Sequence, residues 1–334
     1  MMKSFFPTLI IICCSILFSC GNNKLREIER SNIQVEMLNA DLEIQFPGVF
    51  AVTHKCLVLQ DPMRPRENVK LLDTETGDVI LGFIDIGQGP EEFATPLLSY
   101  STKGILTIYD PHTLKKVHFN IDSLYEGKVS IKPSPFYRKD IVRLEMLNDN
   151  EFIAGVYGKE NPFCFIQNDS SMYEFGNYPI VVDIANTHVF HGTVLYNNHR
   201  NVMCYATFHT PYLSLYEYKN QTFRMLWETS FKNAQYFISN HQLRWADDHP
   251  CGIQEVTFTR DYIACLVKEM YLKDASGRSK ETLPRALYLY DYEGTLKKIL
   301  DLDLASVRIS ADPETNLVYI IGLDDGWCLA RLNL

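Results

Sequence analysis

The chain has 334 residues and a net charge of −9, from 32 Lys and Arg against 41 Asp and Glu. A hydrophobic share of 46% excludes global disorder and allows a sizeable core. The acidic balance argues against a nucleic-acid partner, whose phosphates call for a basic face, and 19 Phe with 19 Tyr lean toward β-structure.

The first element is an export signal. Met1 to Ser4 carries one positive charge, Lys3, and Phe5 to Phe18 is an apolar run. That run is shorter than the roughly 20 residues a membrane-spanning helix needs, and it suits a secretory signal. It ends Leu17-Phe18-Ser19-Cys20. A small residue before a cysteine at this place resembles the bacterial lipoprotein box. The resemblance implies cleavage before Cys20 and acylation of its thiol and new amine. Residues 1–19 then form the signal peptide, 20–32 a polar lipidated tether, and 33–334 the folded body. Membrane attachment is expected through lipid alone, on the periplasmic face or the cell surface. Six cysteines fall in the body: Cys56, Cys164, Cys204, Cys251, Cys265 and Cys328. They form no CxxC, and most lie in apolar runs, so free buried thiols are expected.

The body reads as all-β. Its recurring unit is an alternating strand, an acidic or amide residue, a tight turn and a second alternating strand. Copies lie at 68–83, 104–121, 163–178, 212–227 and 286–302, with a last strand at 326–334. The aligned turn positions are Asp73, Asp110, Gln167, Glu217, Asp291 and Arg331. A hairpin repeat of about 50 residues is the signature of a β-propeller. These copies are read as third strands, and six of them imply six blades. The longest gap, Glu217 to Asp291, has length for a seventh but also holds a polar insertion, Lys268 to Arg285. Second strands are expected at Gly48–Leu59, Leu97–Tyr100, Glu151–Val156, Val202–Phe208, Asp261–Val267 and Leu317–Gly322. The last blade lacks an outer strand, and Ile33 to Leu38 can supply it beside Ala330 to Leu334. That closes the ring and removes exposed edges.

Gly87-Gln88-Gly89-Pro90-Glu91-Glu92-Phe93 joins the first two blades. It resembles the G-x-G-P-x-E-F element of six-bladed propeller lipoproteins of the TolB-like class. The lipobox, the chain length and the terminal strand match as well. The resemblance spans the mature chain and implies this fold, with no activity attached. Physically, the glycines permit positive φ, Pro90 stiffens the link and Phe93 can wedge between blades. The segment lacks the ending of a phosphate loop.

No catalytic motif of the G-x-S-x-G, S-x-x-K or H-E-x-x-H kind occurs, so no catalytic residue is assigned. No cofactor and no metal are expected. His188, His191 and His199 are dense, but an H-x₂-H on one strand points to opposite faces unless it lies in a turn. Asp301, Asp303, Asp324 and Asp325 lack the further oxygens of a calcium loop. Asp110, Asp291 and Asp312 read as turn formers.

In a propeller, the loops joining strands 2 and 3 share a face with those joining successive blades. That face should gather Arg64, Arg66, His209, Tyr212, Arg244, Trp245, Asp247 and His249, types enriched where partners are recognised. Arg244 and Trp245 are its expected centre. A competing reading makes 234–246 a short helix whose Trp245 plugs the channel. The expected function is an envelope-anchored, monomeric binding or scaffold module for a protein or glycan. The alternative is a carbohydrate-active hydrolase or lyase at the mouth of the channel. A carboxylate pair there would favour the enzyme, and a face of Arg and aromatics would favour binding.

Overall fold

The computed structural model describes residues 28–334, except 102–103, 139–140, 149, 157, 181–186, 230–233 and 276–278. The export signal, Cys20 and the tether as far as residue 27 lie outside the described residues.

Six antiparallel sheets stand around a central axis. Blade 1 is Phe50–Val52, Leu57–Gln60, Val69–Leu72 and Val79–Phe83, in that order from the axis outward. Blade 2 is Leu97–Ser101, Ile105–Asp110, Lys115–Asn120 and Ser134–Pro135. Blade 3 is Ile141–Asn148, Glu151–Val156, Phe163–Gln167 and Ser170–Phe175. Blade 4 is Gly192–Asn197, Val202–Thr207, Leu213–Lys219 and Thr222–Glu228. Blade 5 is Ile253–Phe258, Ile263–Val267, Ala286–Tyr290 and Leu296–Leu302. Blade 6 is Ala305–Ala311, Leu317–Leu323 and Trp327–Asn333, with Glu36–Asn39 as its fourth strand.

The middle strands of each blade are buried on both faces. They therefore read as continuous apolar runs such as Val202–Thr207 and Ile263–Val267. The turns between strands are set by side chains. Asp73 Oδ1 accepts from the Glu75 and Thr76 amides, both at 2.8 Å. Asp110 does the same for His112 and Thr113, and Asp291 for Glu293 and Thr295. Those amide bonds favour the charged form and hold the Asp73 carboxyl below its usual range.

The recurring unit is shifted by one strand in blade 2. Leu97–Ser101 is its innermost strand, not its second, and Asp110 closes the second strand, not the third. The third strand ends at Asn120, which makes the spacing to Asp73 and to Gln167 equal. The misreading has a physical source. The fourth strand is only Ser134–Pro135, because a proline confines pairing to a sheet edge, and a short helix, Ile121–Tyr125, precedes it. In blade 1, Gly48–Leu59 holds the first two strands rather than the second alone.

The ring closes as expected, with one addition. Glu36–Asn39 pairs antiparallel with the last strand, Glu36 opposite Arg331 and Met37 opposite Ala330. Just before it, Glu29–Ile33 lies parallel to Leu296–Leu302 as a fifth strand of blade 5. The first described strand thus begins at Glu29, inside the stretch read as tether. The N-terminal segment thus bridges the outer edges of blades 5 and 6.

Asp301 and Asp303, weighed above as calcium residues, hold this segment instead. Arg30 donates to Asp301 at 2.6 and 2.7 Å and to Glu269 at 2.6 and 3.0 Å. Asp303 accepts from the Val35 amide at 3.1 Å.

The interblade motif packs by a different logic from the one expected. Neither Gly87 nor Gly89 has positive φ. A Cβ on Gly87 would lie 2.0 Å from the Glu92 carboxylate, which accepts from the Gly89 amide at 2.9 Å. The glycines thus make room for the folded-back Glu92 side chain rather than supplying a special backbone conformation. Phe93 is fully buried, wedged between apolar residues of blades 1 and 2 as expected.

Residues 236–245 form a two-stranded hairpin, Tyr236–Ser239 with Gln242–Trp245, not a helix. This hairpin and the polar insertion fill the long gap, so the ring has six blades. All six body cysteines are free and buried.

Candidate functional site

Strand alternation sorts the loops onto two faces, and hydrogen bonds between loops confirm the sorting. Ala94, in the link from blade 1 to blade 2, donates to Asp110 at the second turn of blade 2. Asp61, in the blade 1 loop, accepts from Gln45 and Phe46 in the link that leads into that blade. Leu272 and Lys273 donate to the carbonyls of His249 and Asp247. These long loops form one face. The short turns form the other, where Lys55 and His54 meet Asp122, and Arg260 meets Thr315.

Between the faces runs a narrow channel lined by the innermost strand of every blade, with about 130 Å³ of space for solvent-sized atoms. Hydroxyls on these strands stitch neighbouring blades together. Ser99 accepts from the Met146 amide, Thr257 from Ala311 and Ser310 from Val52.

Four charged side chains line this channel: Arg143 and Glu145 from blade 3, Glu255 from blade 5 and Arg308 from blade 6. Arg143 and Glu255 lie nearer the loop-rich ends of their strands, and Glu145 and Arg308 near the middle of theirs. Arg308 donates through Nε to the Gly48 carbonyl at 2.6 Å and meets Glu255 at 3.4 Å. The other Glu255 oxygen accepts from the Thr193 hydroxyl at 3.0 Å. Glu145 is only 8% exposed. Burial lifts its carboxyl to about 8; Arg143 opposes that shift and Glu255 adds to it. Arg143 is half-buried and ion-pairs with no described residue.

Above the channel sits a histidine and aromatic layer. His188 lies within a 3₁₀ turn, Thr187–Phe190, and His191 follows it directly, so the two do not share a strand. Burial pushes His191 down to about 4, and the charges of Arg143, His209 and His188 add to the shift. Among the described residues no group of three or more His, Cys, Asp or Glu could hold a metal ion.

The eight expected contact residues separate by burial. Trp245 is half-buried, stacked on the His249 ring at 4.3 Å and edge-on to Phe190 and Tyr236. It does not line the channel. His249 is buried, and its Nδ1 accepts from the Gln235 amide at 3.0 Å. Tyr212 is also buried, with its hydroxyl donating to Glu228 at 2.5 Å. Arg244, Asp247, His209 and Arg66 are exposed. Arg64 is half-exposed beside Asp61 on blade 1, 3.9 Å from its carboxylate.

The sequence reading passed over the channel charges. A signal was available. In Ile141–Asn148, Arg143 and Glu145 alternate with apolar residues, so both point one way along an otherwise apolar strand.

A search of curated proteins finds no match. Among solved structures, a member of the DUF4221 family from Bacteroides vulgatus is 9% identical. The match covers 90% of this chain and 100% of that one, with a TM-score of 0.51. Hydrazine synthase from Kuenenia stuttgartiensis is 10% identical over 88% of this chain and 97% of that one, with a TM-score of 0.50. At such identity the likeness concerns the fold alone. Residues 32–313 match the family model for the TolB-like six-blade propeller. That match covers most of the chain and agrees with the six sheets, so this protein belongs to the TolB-like six-bladed propeller family.

Proposed function

We propose that the protein is a cell-envelope lipoprotein, anchored by acyl chains on Cys20, whose propeller presents its loop-rich face to a protein partner. Envelope placement accords with TolB-like propellers, which are generally periplasmic or envelope-associated. Among the described residues no helix is long and apolar enough to cross a membrane.

The observation that carries the reading is the hairpin at 236–245. It joins no blade, yet it exposes Tyr236, Phe237 and Ile238 in succession, Phe237 at 52%. Phe237 pairs across the hairpin with the exposed Arg244. An aromatic and an Arg on a raised ribbon are the residue types that dominate binding hot spots, and a row of exposed apolar side chains suits a protein more than a glycan. The chain direction is consistent with this. Glu29 pairs with Lys298, just past the Asp291–Thr295 turn, so the first described strand begins at the short-turn face. A lipid on Cys20 would leave the loop-rich face pointing away from the membrane.

Capture from envelope extract tests the reading. Phe237→Ala combined with Arg244→Ala should abolish partner capture and leave the melting temperature unchanged. Undiminished capture, or capture of glycan alone, would overturn it.

A second reading, a carbohydrate-active enzyme, draws on Glu145 and Glu255. Burial favours the neutral form of Glu145, and Glu255 lines the same channel, so the two carboxyls are the pair such an enzyme would need. Two features weigh against it. Both Glu255 oxygens are engaged, and the channel is too narrow for two sugar rings about a scissile bond. Hydrolysis of an aryl glycoside that is lost in both Glu145→Gln and Glu255→Gln would revive it.

A further inference from the structure

We propose that the loop-side half of the channel is a binding site for one small monocarboxylate, seated on the Arg143 guanidinium. This site is separate from the hairpin and goes beyond partner docking.

The argument starts from charge. Four ionisable side chains face the cavity from three blades, and His191 approaches from the link above blade 4. Arg308 and Glu255 neutralise each other at 3.4 Å. His191 is neutral, because burial and Arg143 both disfavour its cation. Glu145 is held protonated near neutral pH by burial. Among the described residues the remaining charge is Arg143, which no ion pair there compensates. A half-buried cation without an ion-pair partner is costly, and a bound anion offsets that cost.

Geometry then narrows the anion. The guanidinium is a planar fork that matches a carboxylate bidentately. Glu145, two residues along the same strand and on the same side, carries an acid proton able to donate to the ligand's second lone pair. A second negative charge on the ligand would face Glu255 without a cation to spare, which disfavours dianions. About 130 Å³ holds on the order of ten water-sized atoms. That is the size of a hydroxy acid or a single sugar acid, and it excludes a polymer.

The experiment is calorimetric titration of the whole mature chain with D-lactate and D-glucuronate, using glycerol and glucose as neutral counterparts. At least one carboxylate should bind and its neutral counterpart should not. Arg143→Gln should weaken binding about 10- to 100-fold, as loss of a charge-assisted bidentate contact implies. Arg143→Lys should fall between. Affinity should drop as pH rises through about 8, where Glu145 ionises and cancels the net charge. Glu145→Gln should lose that pH dependence. Circular dichroism of each variant separates misfolding from lost binding. Failure of both carboxylates at about 10 mM, equal binding of glucose, or an unweakened Arg143→Gln would each overturn the proposal. None of these outcomes bears on hairpin-dependent capture.

Discussion

Arginines meet carboxylates both on the outer seam and inside the channel, with opposite results. On the outer seam, Arg30 holds Glu269 and Asp301, and Arg331 holds Glu36 and Glu75, all at 2.6–3.0 Å. There the hydrogen bonds from arginine pull the carboxyls of Glu36 and Asp301 below their usual range. In the channel the same residue types leave Glu145 raised to about 8 and Arg143 without an ion-pair partner among the described residues. Exposed pairs stay in water, so pairing is easy to satisfy and contributes little. Lined-up charges inside a narrow channel lose water, so any mismatch is costly and specific. The outer set aligns a strand, and the inner set concentrates charge where water is scarce.

The largest expected effect comes from the seam as a whole. Deleting residues 28–39 removes the fourth strand of blade 6, the fifth strand of blade 5 and the burial of Val35 in the core. It also exposes the unpaired edge of Trp327–Asn333. Loss of the cooperative melting transition, with aggregation, is expected by scanning calorimetry. A truncated chain that melts like the full one would show that blade pairing, not the terminal strand, closes the ring.

Next is Arg308→Ala. It strands Glu255, whose side chain is 16% exposed, with only the Thr193 hydroxyl, and it frees the Gly48 carbonyl of blade 1. A cost of about 2 kcal/mol is expected in urea unfolding, below the figure for a fully buried pair because the channel admits some water. A cost under about half of that would place the channel charges with the outer ones.

Glu145 sharpens the contrast through pH. Its folded value, about 8, lies above that of an unfolded glutamate. Stability from the protonated form is therefore complete below the unfolded value and is lost as pH rises through about 8. His191, lowered to about 4, acts in the opposite sense and only below its unfolded value. Between about pH 6.5 and 8 the Glu145 effect stands alone. The melting temperature of the wild type should fall across this window, while Glu145→Gln should stay level. Parallel curves would mean that the carboxyl is already ionised in the channel.

Much of the fold was legible because each blade repeats one local code. Alternating strands, Asp turns such as Asp73 and Asp291, and the missing partner of the last strand were all written locally. Blade 2 was misread where that code thins, since Ser134–Pro135 is too short to announce a strand. The hairpin was missed because its exposed Tyr236, Phe237 and Ile238 have no core to enforce a pattern. The channel site was harder still. Arg143, Glu145, Glu255 and Arg308 come from three blades, and only closure of the ring brings them together. Of the expected face, the sequence could name residue types but not burial, which is why Tyr212 and His249 stood beside Arg244.

The smallest expected effect is Arg30→Ala. Arg30 makes four hydrogen bonds to two carboxylates, and on a count of contacts it would rank above Arg308. Physical context reverses that ranking. Its side chain is 46% exposed, and Glu269 and Asp301 are about a third exposed, so all three regain water when the contact is lost. Glu269 also keeps the Tyr288 hydroxyl at 2.6 Å. The strand itself stays docked by its parallel pairing and by Asp303 on the Val35 amide. A loss below about 1 kcal/mol is expected, shrinking further in about 0.5 M salt because surface charges are screened. Arg308→Ala should show far less salt dependence, its pair being shielded within the ring. If instead Arg30→Ala costs as much as Arg308→Ala, and salt does not reduce it, then the seam is held by charge rather than by backbone pairing. The division between outer and inner arginines would then be wrong.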